Sequence, residues 1–291
     1  MDRPLGLSIQ CGVRGYFRVK EWIHKFKAIF LLLPPAWILL TTGAVVLSES
    51  RPYEGMILIP AGKFIIGSDS AMDGKRGEDF GVDEEPRHKL HLNAFYIDQY
   101  EVTIGEYKEY LKVSGKEWLG DINFPEEFPP EIYFNPPDLN RHPANYISWY
   151  DADDYCRWKG KRLPTEFEWE KAARGAEGRR WPWGNQYEPG NAHTSEKFPA
   201  WTAPVGSHPE DKSVYGVYDS AGNVSEWTSS HYLSYQGNTV SDGRYKKGVY
   251  VLKGGSFLEP GKIFGRPARR FASRPDYSHR TYGFRCAKDA D

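Results

Sequence analysis

The chain has 291 residues, in which 38 Lys and Arg nearly offset 39 Asp and Glu to leave a formal net charge of −1. A charge so close to zero argues against a nucleic-acid-binding protein, because such proteins present a basic face. Only three cysteines occur (Cys11, Cys156 and Cys286), without the Cys/His spacing of a zinc site, which excludes a disulfide-rich scaffold and a zinc module. The 15% of aromatic residues, with 29 Gly and 21 Pro, predict a loop-rich domain whose loops are held by buried rings.

The N-terminal segment differs in composition from the remainder. Basic residues are scattered through residues 1–27, and an uncharged, largely apolar stretch follows at residues 28–48. About 20 apolar residues suffice to cross a hydrocarbon core, and preceding basic residues favour a cytoplasmic N-terminus. We therefore expect a transmembrane signal anchor at 28–48, a linker at 49–55 and a periplasmic or extracellular domain at 56–291. A cleaved signal peptide is the alternative, although its apolar core would be shorter.

Short apolar runs separated by turn residues predict strands near the start and near the end of the domain sequence. Residues 56–59 and 63–66, which flank Pro60-Ala61-Gly62, are expected to form a hairpin. Residues 90–92 and 95–97 are expected to form a second strand pair. Two closing strands are predicted near the C-terminus, at residues 249–253 and 283–286.

Three helices are predicted, because a Ser or Thr is followed three residues later by an acidic residue in each case, the pattern of a capping box. The pairs are Thr103 with Glu106, Ser148 with Asp151, and Thr165 with Glu168. The first helix is expected to run through Leu111. The second should carry Ala152, Tyr155 and Cys156, and the third should turn Trp169, Ala172 and Ala173 inward. Together with the strands, these helices predict an α+β domain.

A set of short segments between residues 56 and 286 occurs in a specific order. They are residues 56–62, 95–103, 142–149, 160–170, 181–184, 216–227, 253–257 and 282–286. This ordered set resembles the formylglycine-generating enzyme, or sulfatase-modifying factor, family. The resemblance implies that family's loop-rich variant of the C-type-lectin fold.

The resemblance also locates the family's copper site. In its copper-dependent oxidases, two cysteines that follow a Gly-Gly-Ser segment bind the metal; here Glu259 and Phe264 align with them, after Gly254-Gly255-Ser256. Cu(I) is a soft ion that requires thiolates, so no copper is expected. Glu259 is instead a candidate acid or base with a pKa raised by burial, although a Glu-Pro-Gly surface turn also explains it.

Arginines follow the Gly-Gly-Ser segment closely. Arg266, Arg269 and Arg270, together with Ser256, are candidates for binding a carboxylate or sulfate group. Arg274 and Arg280 lie near them in sequence. Structural salt bridges and a solvated face are the alternative explanations for these charges.

The resemblance implies a structural calcium site at Asp219, Gly222, Val224 and Glu226, through side-chain oxygens and backbone carbonyls, the hard ligands that calcium prefers. Turn-capping roles for Asp219 and Glu226 are the alternative. A second calcium site of the family would use Asn191 and Ala192, but Lys197 takes the place of its aspartate, so we expect this site to be lost.

Cys156 and Cys286 correspond to a pair that is bridged in family members of the secretory pathway. An oxidising compartment would permit the same disulfide here. Two separate buried thiols are equally compatible with the sequence, because a free cysteine behaves as a small core residue.

Three functions remain open at this point. The first is a membrane-anchored binding or accessory module, without copper chemistry, for a peptide, a glycan or a subunit of a membrane complex. The second is a non-copper enzyme of the pyoverdine-maturation type, with Glu259 as its acid or base. The third is a formylglycine-generating oxidase of the family's usual kind, which the missing cysteine pair argues against.

Overall fold

The structure is a computed structural model that describes residues 53–78, 80–118, 139–197, 201–241 and 243–290. The chain divides into two units, residues 1–50 and 51–291, and every described residue belongs to the second. The expected membrane anchor at 28–48 lies outside the described residues. Within those ranges, no helix combines the length and the apolar character needed to cross a bilayer.

Four α-helices occur among the described residues. They are α1 (Ile104–Ser114), α2 (Trp149–Trp158), α3 (Glu166–Arg174) and α4 (Gly261–Phe264), and a 3-10 turn covers Val82–Glu84. The first three start where the capping residues predicted them, since Thr103, Ser148 and Thr165 each accept a hydrogen bond from a backbone N–H of the first turn. The helix predictions are therefore confirmed, although α1 continues past Leu111 to Ser114, where the positive φ of 67° at Gly115 terminates it.

The first four strands lie close to the predicted positions but pair differently. They are β1 (Met56–Ile59), β2 (Gly62–Ile66), β3 (His88–Leu92) and β4 (Phe95–Asp98), and β1 pairs with β4 while β2 pairs with β3. The two predicted local pairings are therefore wrong. The physical reason is that the two pairs bury their apolar faces in different clusters, Ile59 and Phe95 around Trp169, and Phe64 and Ile66 around Tyr235.

A four-stranded sheet has the order β7-β6-β5-β8, with β5 at Ser225–His231, β6 at Tyr250–Lys253, β7 at Phe271–Ser273 and β8 at Tyr282–Gly283. A last strand, β9 (Ala287–Asp289), pairs with β4 in the other sheet. The predicted single strand at 283–286 is therefore wrong, because the chain crosses between two sheets there.

Helix α3 contacts strands of all three sheets, β2, β4, β5 and β6. Trp169, Ala172 and Ala173 are buried as predicted, but so are charged residues of the same helix, including Glu166, Glu170 and Arg174. A helix enclosed on several sides must pair its charges internally. This explains why buried ion pairs recur around the candidate site.

Candidate functional site

The segment after β6 places Ser256 and Glu259. A Cβ on Gly255 would lie 2.5 Å from the carbonyl oxygen of Ala221, so glycine permits this segment to pack closely against the 219–226 loop. Ser256 is fully buried, and its hydroxyl donates a 2.9 Å hydrogen bond to Glu259 Oε2. Burial raises the pKa of Glu259, while the Ser256 hydroxyl and the Arg269 charge partly oppose this shift. Ser256 therefore orients Glu259 and does not itself face a ligand.

Helix α4 places Phe264, the residue aligned with the second copper cysteine. Glu196 accepts hydrogen bonds from the backbone N–H groups of Gly261 and Lys262 at 2.9 and 3.2 Å, which holds the start of this short helix. The Phe264 ring stacks on Phe271 with centroids 6.2 Å apart. The site aligned with the family's copper centre thus consists of a carboxylate and aromatic rings.

Arg266 and Arg270, both candidates for ligand binding, lie in the interior. Arg266 binds the Glu84 carboxylate through two contacts of 2.8 and 2.9 Å, and Arg270 binds Glu166 at 2.8 and 3.0 Å. Both guanidinium groups are fully buried. A ligand-binding role from solvent does not fit these positions, and the alternative of structural salt bridges does. The partner carboxylates lie far away in sequence, which is why local spacing could not separate these arginines from Arg269.

Arg269 has a different environment from its two neighbours. Its guanidinium carbon lies 5.0 Å from the Phe264 ring centroid and 5.1 Å from that of Phe271. The side chain is half-buried, and its Nε atom is buried without a hydrogen-bond partner. Of the three candidate arginines, Arg269 is the one that remains available to a ligand.

A cavity of about 350 Å³ is formed by the end of β7 and the residues that follow it, and is lined by Ala272, Ser273, Arg274, Asp276 and Tyr277. Tyr277 is about half exposed, and the Arg274 guanidinium binds Asp276 at the cavity wall. This cavity could not be predicted from the sequence, because an isolated Tyr among charged residues is common on protein surfaces.

A second cavity, of about 430 Å³, lies beside β4 and the start of α1 and includes Asp98, Glu101, Glu106 and Lys161 in its lining. Lys161 Nζ lies 2.6 Å from Asp98 Oδ1, and Glu106 closes the capping box of α1. Asp98, Glu106 and Lys161 are therefore engaged in structural contacts.

The residues expected to bind calcium lie in one loop and at the start of β5. Asp219 and Asn223 have positive φ angles of 58° and 66°, so the loop turns tightly. Asp219 Oδ2 accepts a 2.6 Å hydrogen bond from Gly206 N, whereas Glu226 binds Arg285 through two contacts of 2.6 and 2.7 Å. A Cβ on Gly222 would lie 2.5 Å from the His193 carbonyl oxygen, which is a packing reason for glycine independent of calcium.

Several carboxylates meet around this loop. Burial, followed by the charge of Asp219, raises the pKa of both Glu101 and Asp211 well above the ordinary range, and burial raises the pKa of Asp219 to about 6. The Arg285 guanidinium opposes all three shifts. An additional cation would fit this excess of negative charge, with Asp219 as a ligand and Glu226 sharing an oxygen with Arg285. Because no three acidic, His or Cys side chains of the described part form a metal-binding group, backbone carbonyls would have to supply most ligands.

At the other family calcium position, the Lys197 side chain packs on Gly190, where a Cβ would lie 3.1 Å from its Nζ. A positive charge there opposes binding of a second calcium ion.

Cys156 and Cys286 form a disulfide with Cα atoms 5.6 Å apart, and both residues are fully buried. This bond connects α2 to the segment that crosses between the sheets. Because they are bonded to each other, these two cysteines are not available as thiolates.

Residues 42–290 match the family described as the sulfatase-modifying factor enzyme 1-like domain. The formylglycine-generating enzyme of Streptomyces coelicolor is 31% identical, over 84% of this chain and 92% of that protein. The serine/threonine-protein kinase pkn1 of Chlamydia caviae is 36% identical over 80% of this chain, which spans only 38% of the kinase. The structure of PvdO from Pseudomonas aeruginosa superposes with a TM-score of 0.64 at 28% identity, over 81% of this chain and 94% of PvdO. The chain therefore belongs to the sulfatase-modifying factor, or formylglycine-generating enzyme-like, family.

Proposed function

We propose that this chain is a binding or accessory module of its family, which recognises a ligand without copper-thiolate chemistry. The observation that carries the proposal is the pair Glu259 and Phe264 at the positions of the copper cysteines. Cys156 and Cys286 cannot replace those thiolates, because they are bonded to each other inside the core. Cu(I) has little affinity for a carboxylate or a phenyl ring.

A gain-of-site experiment tests this proposal. The full chain and its Glu259→Cys/Phe264→Cys double variant would compete for Cu(I) against a colorimetric chelator. We expect tight Cu(I) binding by the double variant only. In parallel, the unmodified chain would be incubated with copper, oxygen and a sulfatase-derived cysteine peptide, and mass spectrometry would follow the peptide. Conversion of its cysteine to formylglycine would refute the proposal and favour an oxidase.

A non-copper enzyme of the pyoverdine-maturation type is the second candidate, and the environment of Glu259 favours it. Burial raises the pKa of this carboxyl, and the Ser256 hydroxyl orients it at 2.9 Å, as a general acid or base requires. The likeness to PvdO adds support. Once a turnover has been found, Glu259→Gln should abolish it. Full turnover in that variant would leave the binding module as the better explanation.

The site of action proposed is the outer face of a membrane, with residues 28–48 as the anchor and residues 1–27 in the cytoplasm. The Cys156–Cys286 disulfide supports this location, since such bonds persist in oxidising compartments. The proposed partner is a peptide, a glycan or a subunit of a membrane complex. Alkaline extraction of membranes should leave the full chain in the pellet, and protease added to spheroplasts should digest its domain. Release by carbonate or complete protection would contradict this topology.

We also propose calcium as a structural ion, held by Asp219, Glu226 and the backbone carbonyls of Gly222 and Val224. The excess of buried carboxylates around Asp219 supports it. Calcium supplies positive charge with flexible coordination, which an irregular loop can satisfy.

A further inference from the structure

Three arginines within five residues occupy two kinds of environment. Arg266 and Arg270 are fully buried and bound to carboxylates, and each is part of the interior. Arg269, between them, is half-buried, and within the described residues its guanidinium takes part in no hydrogen bond or salt bridge. It lies over the rings of Phe264 and Phe271, and a Cβ on Gly81 would lie 3.4 Å from its Nη1. A guanidinium carries five N–H donors, and withdrawing them from water without a partner is unfavourable.

The two rings hold the Arg269 side chain in place. Both ring centroids lie about 5 Å from the guanidinium carbon, and the rings themselves are stacked with an interplanar angle of 20°. Cation–π contacts of this kind orient the flat guanidinium while leaving its N–H edge unoccupied. A side chain that is already ordered loses little conformational entropy when a ligand binds.

The carboxylate of Glu259 does not satisfy these donors. Glu259 accepts its hydrogen bond from Ser256, and Arg269 acts on it through charge alone. Positive charge at Arg269 is therefore only partly compensated on the side of the Glu259–Phe264 site.

We infer that Arg269 is the anchor for an oxyanion group, a carboxylate or a sulfate, of the ligand that this site binds. The inference rests on the proposed function, because it names the chemistry by which the module recognises its ligand. Guanidinium N–H groups match both oxyanions in a two-point geometry.

Calorimetric titration of the full chain with sodium sulfate and with succinate tests the inference and distinguishes the two oxyanions. We expect the unmodified chain to bind at least one of these probes. Arg269→Met should weaken that binding about tenfold or more, since a charge-assisted pair is lost. Arg269→Lys keeps the charge without the planar fork and should retain part of the affinity.

The control is Arg157→Met, which removes an exposed arginine of α2 that pairs with Asp153 of the same helix. It should bind as the unmodified chain does, and circular dichroism and melting temperature should show that Arg269→Met is folded. Equal affinity of the unmodified chain and Arg269→Met, an equal loss in Arg157→Met, or no binding of either probe would overturn the inference. The copper and peptide assays test the proposed function separately from this inference. If the chain binds an oxyanion and also makes formylglycine, Arg269 remains the anchor and only the proposed copper-free function is refuted.

Discussion

Arg285 binds Glu226 through two contacts of 2.6 and 2.7 Å, and neither side chain is exposed. Arg285 also donates to the carbonyl oxygens of Gln99 and Tyr218, while Trp169 Nε1 donates to the same Glu226 carboxylate at 2.8 Å. One ion pair thus connects the C-terminal crossing segment, the candidate calcium loop, β4 and α3. The pair therefore holds together segments that lie far apart in the sequence.

Arg285→Met should destabilise the domain severely. Removing one partner of a buried ion pair leaves the other charge without compensation, which reduces the free energy of unfolding by about 3–5 kcal/mol. The loss is increased here because Arg285 also offsets the charges of Glu101, Asp211 and Asp219. Guanidinium chloride unfolding, monitored by tryptophan fluorescence with the disulfide intact, measures the change.

The matched control is Arg274→Met, which removes an arginine paired with Asp276 on the surface. Solvent already screens that pair, so no measurable change in stability is expected. Similar free energies of unfolding for Arg285→Met and Arg274→Met would show that the buried Arg285–Glu226 pair does not hold these segments together.

The Cys156→Ala/Cys286→Ala double variant should have a lower free energy of unfolding, because its unfolded chain is no longer restricted by the disulfide. The bond closes a loop of 130 residues. The chain-entropy model assigns such a loop about 5 kcal/mol, because the cross-link restricts the unfolded chain. Urea unfolding with and without dithiothreitol measures the loss, and dithiothreitol should affect the unmodified chain but not the double variant. Identical unfolding midpoints for both oxidised proteins would contradict the expectation.

Local patterns in this sequence predicted local structure well. The helix starts at Thr103, Ser148 and Thr165 were predictable, because each capping residue acts on backbone donors only a few residues away. The positions of the first four strands were also nearly right. Strand partners were not, because the pairing of β1 with β4 is decided by which apolar cluster each strand joins, and no local pattern encodes that choice.

The same limit applies to the candidate site. Alignment with the family's motifs located Glu259 and Phe264, and it brought Arg266, Arg269 and Arg270 forward as one group. Their roles depend on Glu84 and Glu166, which approach from segments more than 100 residues away. Phe271, which holds Arg269 against Phe264, gave no signal in the sequence because an aromatic residue in a short strand is expected in any core.

Gly222→Ala tests the packing of the candidate calcium loop. A Cβ at this position would come within 2.5 Å of the His193 carbonyl oxygen, a backbone atom that cannot move independently. Overpacking of this kind reduces stability by about 1–3 kcal/mol. Thermal unfolding should show a lower melting temperature. Gly243→Ala is the control, because a Cβ there meets no atom within 4 Å and the melting temperature should stay unchanged; an equal effect of both substitutions would count against close packing of the loop.

In the absence of calcium, the stability of the unmodified chain relative to Asp219→Asn should fall as pH rises from about 4 to 7. The comparison removes the opposite contribution of His208, whose pKa burial lowers to about 4. The ordinary pKa of an aspartate is 3.8, and burial raises that of Asp219 to about 6 in the folded protein. The native state therefore binds a proton that the unfolded state has released, and its contribution to stability is complete below pH 3.8 and lost as pH rises through about 6. Glu101 and Asp211 act in the same direction. Urea unfolding of the unmodified chain and Asp219→Asn in EGTA at a series of pH values measures this difference, and a difference that does not change with pH would contradict the expectation.

Calcium should reverse this loss, because it favours the ionised carboxylates. At a concentration a hundredfold above its dissociation constant, an ion that binds only the folded state adds about 2.7 kcal/mol. We expect the calcium effect on the melting temperature to be larger at pH 7.5 than at pH 5. Asp219→Asn, which retains shape but not charge, should abolish the calcium effect and be at least as stable as the unmodified chain in EGTA at pH 7.5. Asp219→Asn removes both a buried charge and a proposed calcium ligand. Asp219 is therefore supported as a ligand only if the variant loses the calcium response and is as stable in EGTA as the unmodified chain. An unchanged calcium response would place the ion elsewhere.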